Sequence, residues 1–367
     1  MKLVDGSRML VEGAADAGVE VYSGYPITPL NDVYFYVTKR VPKVCEAPDE
    51  ITALQWACGL SATGNITMSA TSHAGFSLMV ETVDMAFMME LPMLIVLGQR
   101  LGPSTGSATT NAQGDLGMLN RMISGGYNMP VISPSDFKDC YELSAESLRL
   151  AVKLRTPVIL LTSKEMLETE RSVDISNLSK IEEMEWKYYE GKDYKPYRAD
   201  SSKVPPFLPL ASDSNQVRMT ASTHDESGIL AKASEEAMAN TKRLNDKVEE
   251  RVDEYLYFDL DEQENAEKLV VSYGITSFAA KEAVEKLRAE DERVSLLIVK
   301  TLLPVAPKIL EIIDRYDRVI IAEENLMGLY KKALYGEEGK AEVTGANGIG
   351  HMITPEQIIE EVTKNEL

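Results

Sequence analysis

Four short stretches hold the residue types able to do chemistry: GYPITP (24–29), EAPDE (46–50), TSHAG (71–75) and GQRLGPSTGSATTNAQGD (98–115). In the first, Pro26 and Pro29 stiffen the chain and Thr28 offers a hydroxyl. Thr28 suits the N-cap of a helix over 29–39, with Pro29 at its first position. A helix start carries free N–H groups and receives anions. In the second stretch, Asp49 suits the cap of a helix with Ile51, Leu54 and Cys58 on one face. Glu50 then falls in the first turn, where a carboxylate favours the helix dipole, a sufficient reason for its presence. Arg100 follows an apolar run, and a guanidinium there can bind a carboxylate or phosphate bidentately. Thr105, Thr109 and Thr110 add hydroxyl donors. His73 also follows a β-branched run, where a site role and a structural role both stay open.

The elements that must position these residues alternate. Short runs over 19–23, 41–45, 66–71, 93–98, 130–133 and 157–162 read as strands. Helical patterns lie between most of them, including an almost wholly apolar one over 75–89 and one opened by Ser133 and Pro134. Alternation of this kind predicts a doubly wound α/β fold with a mostly parallel sheet. In such a sheet the loops after the strands gather at one edge, so the four stretches are expected to converge there.

Residues 1–168 form this first predicted domain. Residues 169–262 read as an irregular, charged and proline-containing connector, ending in one long solvated helix over about 226–262. The alternating pattern returns over 263–367, a second and smaller α/β domain. Two domains agree with a length of 367 residues.

Composition and missing motifs remove several functions. Acidic residues outnumber basic ones 58 to 38, a net charge of −20, which argues against a nucleic-acid binder. Three scattered cysteines, Cys45, Cys58 and Cys140, cannot frame a disulfide scaffold or hold a four-thiolate cluster, and read as small buried hydrophobes. His73, His224 and His351 have no zinc spacing. The N-terminus lacks a signal-peptide core and no apolar run is long enough to span a bilayer, so a cytoplasmic protein without membrane partners is expected. GANGIG (345–350) has the wrong spacing for a dinucleotide loop, and no Walker A motif occurs. The doubly wound domain thus lacks a diphosphate cradle. Either it binds something else or a partner supplies the cradle.

The motifs together resemble the alpha subunit of the 2-oxoacid:ferredoxin oxidoreductases, in particular the 2-oxoglutarate type. The resemblance runs along nearly the whole chain: GYPITP, PDEITAL (48–54), TSHAGFSLM (71–79), ELPMLIVLGQRLGPSTG (90–106), QGDL (113–116), SPSD (133–136), TPVILLTS (156–163), HDESG (224–228), SYG (272–274) and AEEN (322–325). It implies a pyrimidine-binding half of a thiamine diphosphate site, completed by a beta subunit that holds the diphosphate, Mg²⁺ and a [4Fe–4S] cluster. It implies separate gamma and delta subunits, with ferredoxin and coenzyme A as further partners. The reaction implied is oxidative decarboxylation of a 2-oxoacid to acyl-CoA and CO₂. On this resemblance Glu50 hydrogen-bonds the aminopyrimidine and Thr28 lies by the reacting carbonyl. Arg100, Thr109 and His73 contact substrate, while Tyr25, Pro26, Ile27 and Phe76 contact the cofactor.

Three departures bear on the substrate. The family's S-G-P-G loop is SHAG here, Pro48 replaces an acid, and SATTNAQGD carries no basic residue. Alternatives are a branched-chain or aryl 2-oxoacid, or a non-catalytic structural subunit. A nicotinamide dehydrogenase is weakened by the missing fingerprint.

Overall fold

A computed structural model describes residues 1–213 and 215–364. The first sheet has seven strands in the spatial order Thr301–Leu303, Val131–Ile132, Pro157–Ser163, Met93–Gln99, Thr67–Ser72, Val21–Gly24 and Lys43–Glu46. All neighbours are parallel except Thr301–Leu303, which runs antiparallel to Val131–Ile132. The strands Thr67–Ser72, Met93–Gln99 and Pro157–Ser163 are buried along their whole lengths, as expected of a parallel sheet covered on both faces. Helices Gly6–Asp16 and Phe137–Leu154 pack together, and so do Glu50–Ala62 and His73–Met89. The first pair meets at Gly13, where a Cβ would lie 1.9 Å from the Tyr141 carbonyl oxygen.

Local sequence explains most boundaries. Asp49 is extended and accepts the Thr52 N–H at 2.7 Å, so the helix over Glu50–Ala62 starts where expected. Two expected starts are corrected. The helix after GYPITP spans Asn31–Arg40 and has no side-chain cap. Leu30 N–H closes a turn on the Ile27 carbonyl at 2.7 Å, and the Thr28 hydroxyl accepts from Asn31 Nδ2 at 3.1 Å, so Thr28 and Pro29 lie in the turn. The other helix begins at Phe137, capped by Asp136, because Ser133 N–H is taken by the Lys300 carbonyl. Of the cysteines, Cys58 and Cys140 are buried, while Cys45 is half-buried on the edge strand.

The second sheet has the order Val343–Asn347, Arg318–Glu323, Lys268–Ser272, Val294–Val299 and Phe258–Asp261, the last antiparallel. It therefore begins inside the expected connector. GANGIG starts inside the strand over Val343–Asn347, so Gly345 is a strand residue and not part of a phosphate turn. Leu269, Val271, Leu297 and Val299 face a core continuous with that of the first sheet, while Val270, Leu296 and Ile298 face a separate cluster. This is the period-two alternation of strands.

The long solvated helix is the main correction. It spans only Glu235–Glu249, and Ala237, Asn240, Leu244, Lys247 and Val248 are buried. Those positions make one helical stripe, with a lysine inside it. The Lys247 ammonium bonds Glu90 at 2.6 Å and the Arg155 carbonyl at 2.9 Å, and Arg243 meets both Glu90 oxygens. Glu90 and Arg155 each end a helix in a left-handed conformation, φ 55° and 47°. The Arg155 guanidinium in turn holds the carbonyls of Pro196, Pro205 and Pro206. One buried charge cluster thus fastens the connector to two helix ends.

Candidate functional site

The parallel strands deliver GYPITP, EAPDE, TSHAG and the 98–115 loop to one edge. Glu50 is the first residue of its helix and half-buried. Its carboxyl-bearing arm lies against Gly75 in the first turn of the neighbouring helix, where a Cβ would be 2.3 Å from Thr71 Oγ1 and 2.6 Å from Glu50 Cγ. Glycine is therefore required for Glu50 to keep its place. Gly75→Ala is expected to displace the Glu50 arm and lower turnover about a hundredfold, the scale of an ångström misplacement. Steady-state rates, with circular dichroism to confirm folding, check this.

Arg100 is nearly buried at the end of its strand, and its Nη1 donates to the Thr28 carbonyl at 2.7 Å. Two of the four stretches are thereby locked together. Arg100 Nε is buried without a partner. His73 opens its helix, and its Nδ1 lies 2.5 Å from Asp115 Oδ1. That hydrogen bond raises His73 above the ordinary imidazole range, against burial and the nearby Arg100 charge. Asp115 is itself held through its N–H by Gln99 Oε1 at 3.2 Å.

The second sheet reaches this same loop. Gln113 N–H donates to the Glu324 carbonyl at 2.8 Å, and Gln113 Nε2 to the Tyr273 carbonyl at 3.0 Å. Gln113 Oε1 accepts from Glu324 N–H and from Thr276, and Asn325 Nδ2 bonds the Gln113 carbonyl. Asn111 donates to the Glu324 carboxyl. Burial pushes that carboxyl up to about 7.

The expected residues divide accordingly. Glu50, Thr28, Arg100 and His73 stand at the common edge, linked as described. Tyr25, Pro26 and Thr109 are exposed and Ile27 is half-buried. Phe76 is fully buried in the core, so it supports the floor and presents no free face. His224 is structural: it is buried, bonded to the Ser222 carbonyl and Asn240, and packed on Tyr197. Asp115, Gln99, Gln113 and Glu324 were not singled out from sequence. QGDL and AEEN carried the signal, but Asp115 meets His73 across 42 residues and Gln113 meets Glu324 across 211. Among the described residues, no group of three or more His, Cys, Asp or Glu could hold a metal ion, and no helix is long and apolar enough to cross a membrane.

Residues 12–243 match the family described as "Pyruvate flavodoxin/ferredoxin oxidoreductase, thiamine diP-bdg", and residues 266–358 match "Pyruvate:ferredoxin oxidoreductase core domain II". The chain is 30% identical over 340 residues to the 2-oxoglutarate synthase subunit KorA of Methanocaldococcus jannaschii, covering 90% of each. It is 28% identical to the ketoisovalerate oxidoreductase subunit VorB of Methanothermobacter thermautotrophicus, covering 98% of this chain and 97% of that one. It superposes with a TM-score of 0.90, at 28% identity, on the 2-oxoglutarate:ferredoxin oxidoreductase of Magnetococcus marinus solved with 2-oxoglutarate, coenzyme A and succinyl-CoA bound. That match covers 98% of this chain and 64% of the other. A split-gene transketolase, 14% identical with a TM-score of 0.54, shares the fold. An alternating chain that folds into a doubly wound sheet, and that matches the family model over residues 12–243, belongs to the pyruvate flavodoxin/ferredoxin oxidoreductase family, as an alpha subunit of the thiamine diphosphate-dependent 2-oxoacid:ferredoxin oxidoreductases.

Proposed function

We propose that the chain, with a beta subunit, carries out oxidative decarboxylation of 2-oxoglutarate with coenzyme A, yielding succinyl-CoA, CO₂ and reduced ferredoxin. The observation that carries this reading is Glu50, held against a glycine that admits no Cβ at the ligand edge of the sheet.

The residues fit the pyrimidine half of thiamine diphosphate. A half-buried carboxyl is available for a ring nitrogen, and exposed Tyr25 and Pro26 with half-buried Ile27 offer flanking surface. When bound, the cofactor supplies an electron sink for the carbon that loses CO₂. Glu50 holds the proton shared with the ring nitrogen. Thr28 offers its hydroxyl to the substrate carbonyl, and Arg100, His73 and Thr109 contact substrate carboxylate and carbonyl groups. Phe76 is buried in the core from the first turn of the His73 helix. The diphosphate, Mg²⁺ and [4Fe–4S] sites belong to the beta subunit, because no cradle or cysteine cluster occurs in this sequence. Gamma and delta subunits, ferredoxin and coenzyme A complete a cytoplasmic complex. Residues 1–168 form the pyrimidine-binding unit, 169–262 the connector and 263–367 the assembly unit.

The test is coenzyme A-dependent reduction of a viologen dye by the complex purified through this chain. Parallel assays use 2-oxoglutarate, 2-oxoisovalerate, pyruvate and an aryl 2-oxoacid. Preference for 2-oxoglutarate is expected. Preference for 2-oxoisovalerate would favour a second reading, for which the likeness to VorB speaks. No turnover by a cofactor-loaded complex would sink both. Arg100→Leu should raise KM for 2-oxoglutarate by about 30-fold or more, the scale of a lost hydrogen bond to a charged group. It should also loosen GYPITP, because it removes the bond to the Thr28 carbonyl.

A further inference from the structure

One polar pair at the edge is built beyond what the proton chemistry of Glu50 needs. Asp115 is almost completely buried, its side chain only 4% exposed, yet it is aimed at an imidazole rather than at solvent. Gln99 fixes its backbone, and the Gln113 clamp to the second sheet fixes the loop two residues earlier. The His73 side chain is 26% exposed and its ring is pinned at Nδ1, which leaves Nε2 as the ring nitrogen not committed to Asp115. The charged groups acting on His73 are Asp115 from the loop and Arg100 from the strand end, while Glu50 from the adjacent helix lies against Gly75, two positions on.

We infer that Asp115 and His73 act as an oriented pair that reads the distal carboxylate of the substrate, with imidazolium Nε2–H as the donor and Asp115 as a positioning residue. This rests on the proposed 2-oxoacid reaction. The geometry assigns the roles. With Nδ1 committed to the Asp115 carboxylate, a neutral ring would place the Nε2 lone pair toward the edge, which repels a carboxylate. A protonated ring places an N–H there instead, and the Asp115 bond favours that form. A 2-oxoacid with one carboxylate needs only one cation, and Arg100 can serve it. A second cationic donor at the same edge suits a dicarboxylate. The pair also supplies the positive group absent from SATTNAQGD.

The discriminating experiment compares kcat/KM of the whole complex for 2-oxoglutarate and 2-oxopentanoate, which have equal chain length but differ in the distal carboxylate. In the native complex the ratio should fall as pH rises through the His73 transition. His73→Gln should lower the ratio about 10- to 100-fold, as expected for losing a charge-assisted bond. It should also abolish the pH dependence of the ratio. Asp115→Asn should move the fall of the ratio to lower pH. Turnover of both acids with an unchanged ratio in His73→Gln, or a flat ratio in the native complex, would overturn the pair's role and spare the proposed reaction. Absence of turnover with every 2-oxoacid would overturn the reaction and this inference together.

Discussion

Glu50→Ala is expected to reduce turnover of the assembled complex by about a thousandfold, the scale of a removed proton-transfer group. The contrast with stability makes the result readable. Glu50 lies half-buried in a first helical turn that Asp49 caps. Its favourable contact with the helix dipole contributes about 0.3–1 kcal/mol, so the variant should fold and assemble. Glu50→Gln keeps the size of the arm and its contact with Gly75 but cannot lend a proton as a carboxyl does. It should therefore be nearly as inactive as the alanine variant, with KM for 2-oxoglutarate little changed. Viologen reduction and the thiamine diphosphate content of the purified complex are the two measurements. Full activity in either variant would remove Glu50 from the chemistry.

The second large effect is structural. Glu90 is completely buried at a helix C-terminus, where the dipole disfavours an anion. Burial also opposes its ionisation, but Lys247, Arg243 and Arg155 outweigh burial and hold its carboxyl down at about 2. Glu90→Ala would strand buried Lys247 and nearly buried Arg243 without their counterion. Breaking such a cluster from one side costs about 3–5 kcal/mol, enough to release the connector helix in urea well before the sheet unfolds. Replacing Glu90, Arg243 and Lys247 together by leucine, leucine and methionine should cost less than Glu90→Ala alone. A triple variant weaker than the single one would contradict this account. The sign with pH follows from the depressed carboxyl: its contribution is complete above the ordinary carboxylate range and is lost as pH falls toward 2.

These two residues also show what a sequence can disclose. The place of Glu50 was legible because its reason is local, an aspartate cap, a first turn and a strand just before it, whereas its proposed role rests on the family resemblance. The parallel sheet was legible for the same reason, since alternation and β-branched runs are short-range signals. The Glu90 cluster was not. Lys247 sits among interleaved charges, and only its spacing to Leu244 and Val248 hints that it turns inward. Its counterion lies 157 residues away. Thr28 illustrates a third case. Its type and neighbours fitted a helix cap, yet the turn closed by Leu30 competed for the same backbone and prevailed. Edge strands such as Phe258–Asp261 are hard to read because two half-buried residues alternating with two exposed aspartates make no apolar run.

Gln113 has a consequence for how such a chain can be rebuilt. It takes donors and acceptors from Tyr273, Thr276, Glu324 and Asn325, so the loop that ends in Asp115 is moulded by the second sheet as much as by the first. The two sheets are then not interchangeable parts. A chimera that borrows its C-terminal half from a relative must bring matching residues 111–115 with it. Otherwise the graft folds around a mis-seated loop, and its substrate preference belongs to neither parent.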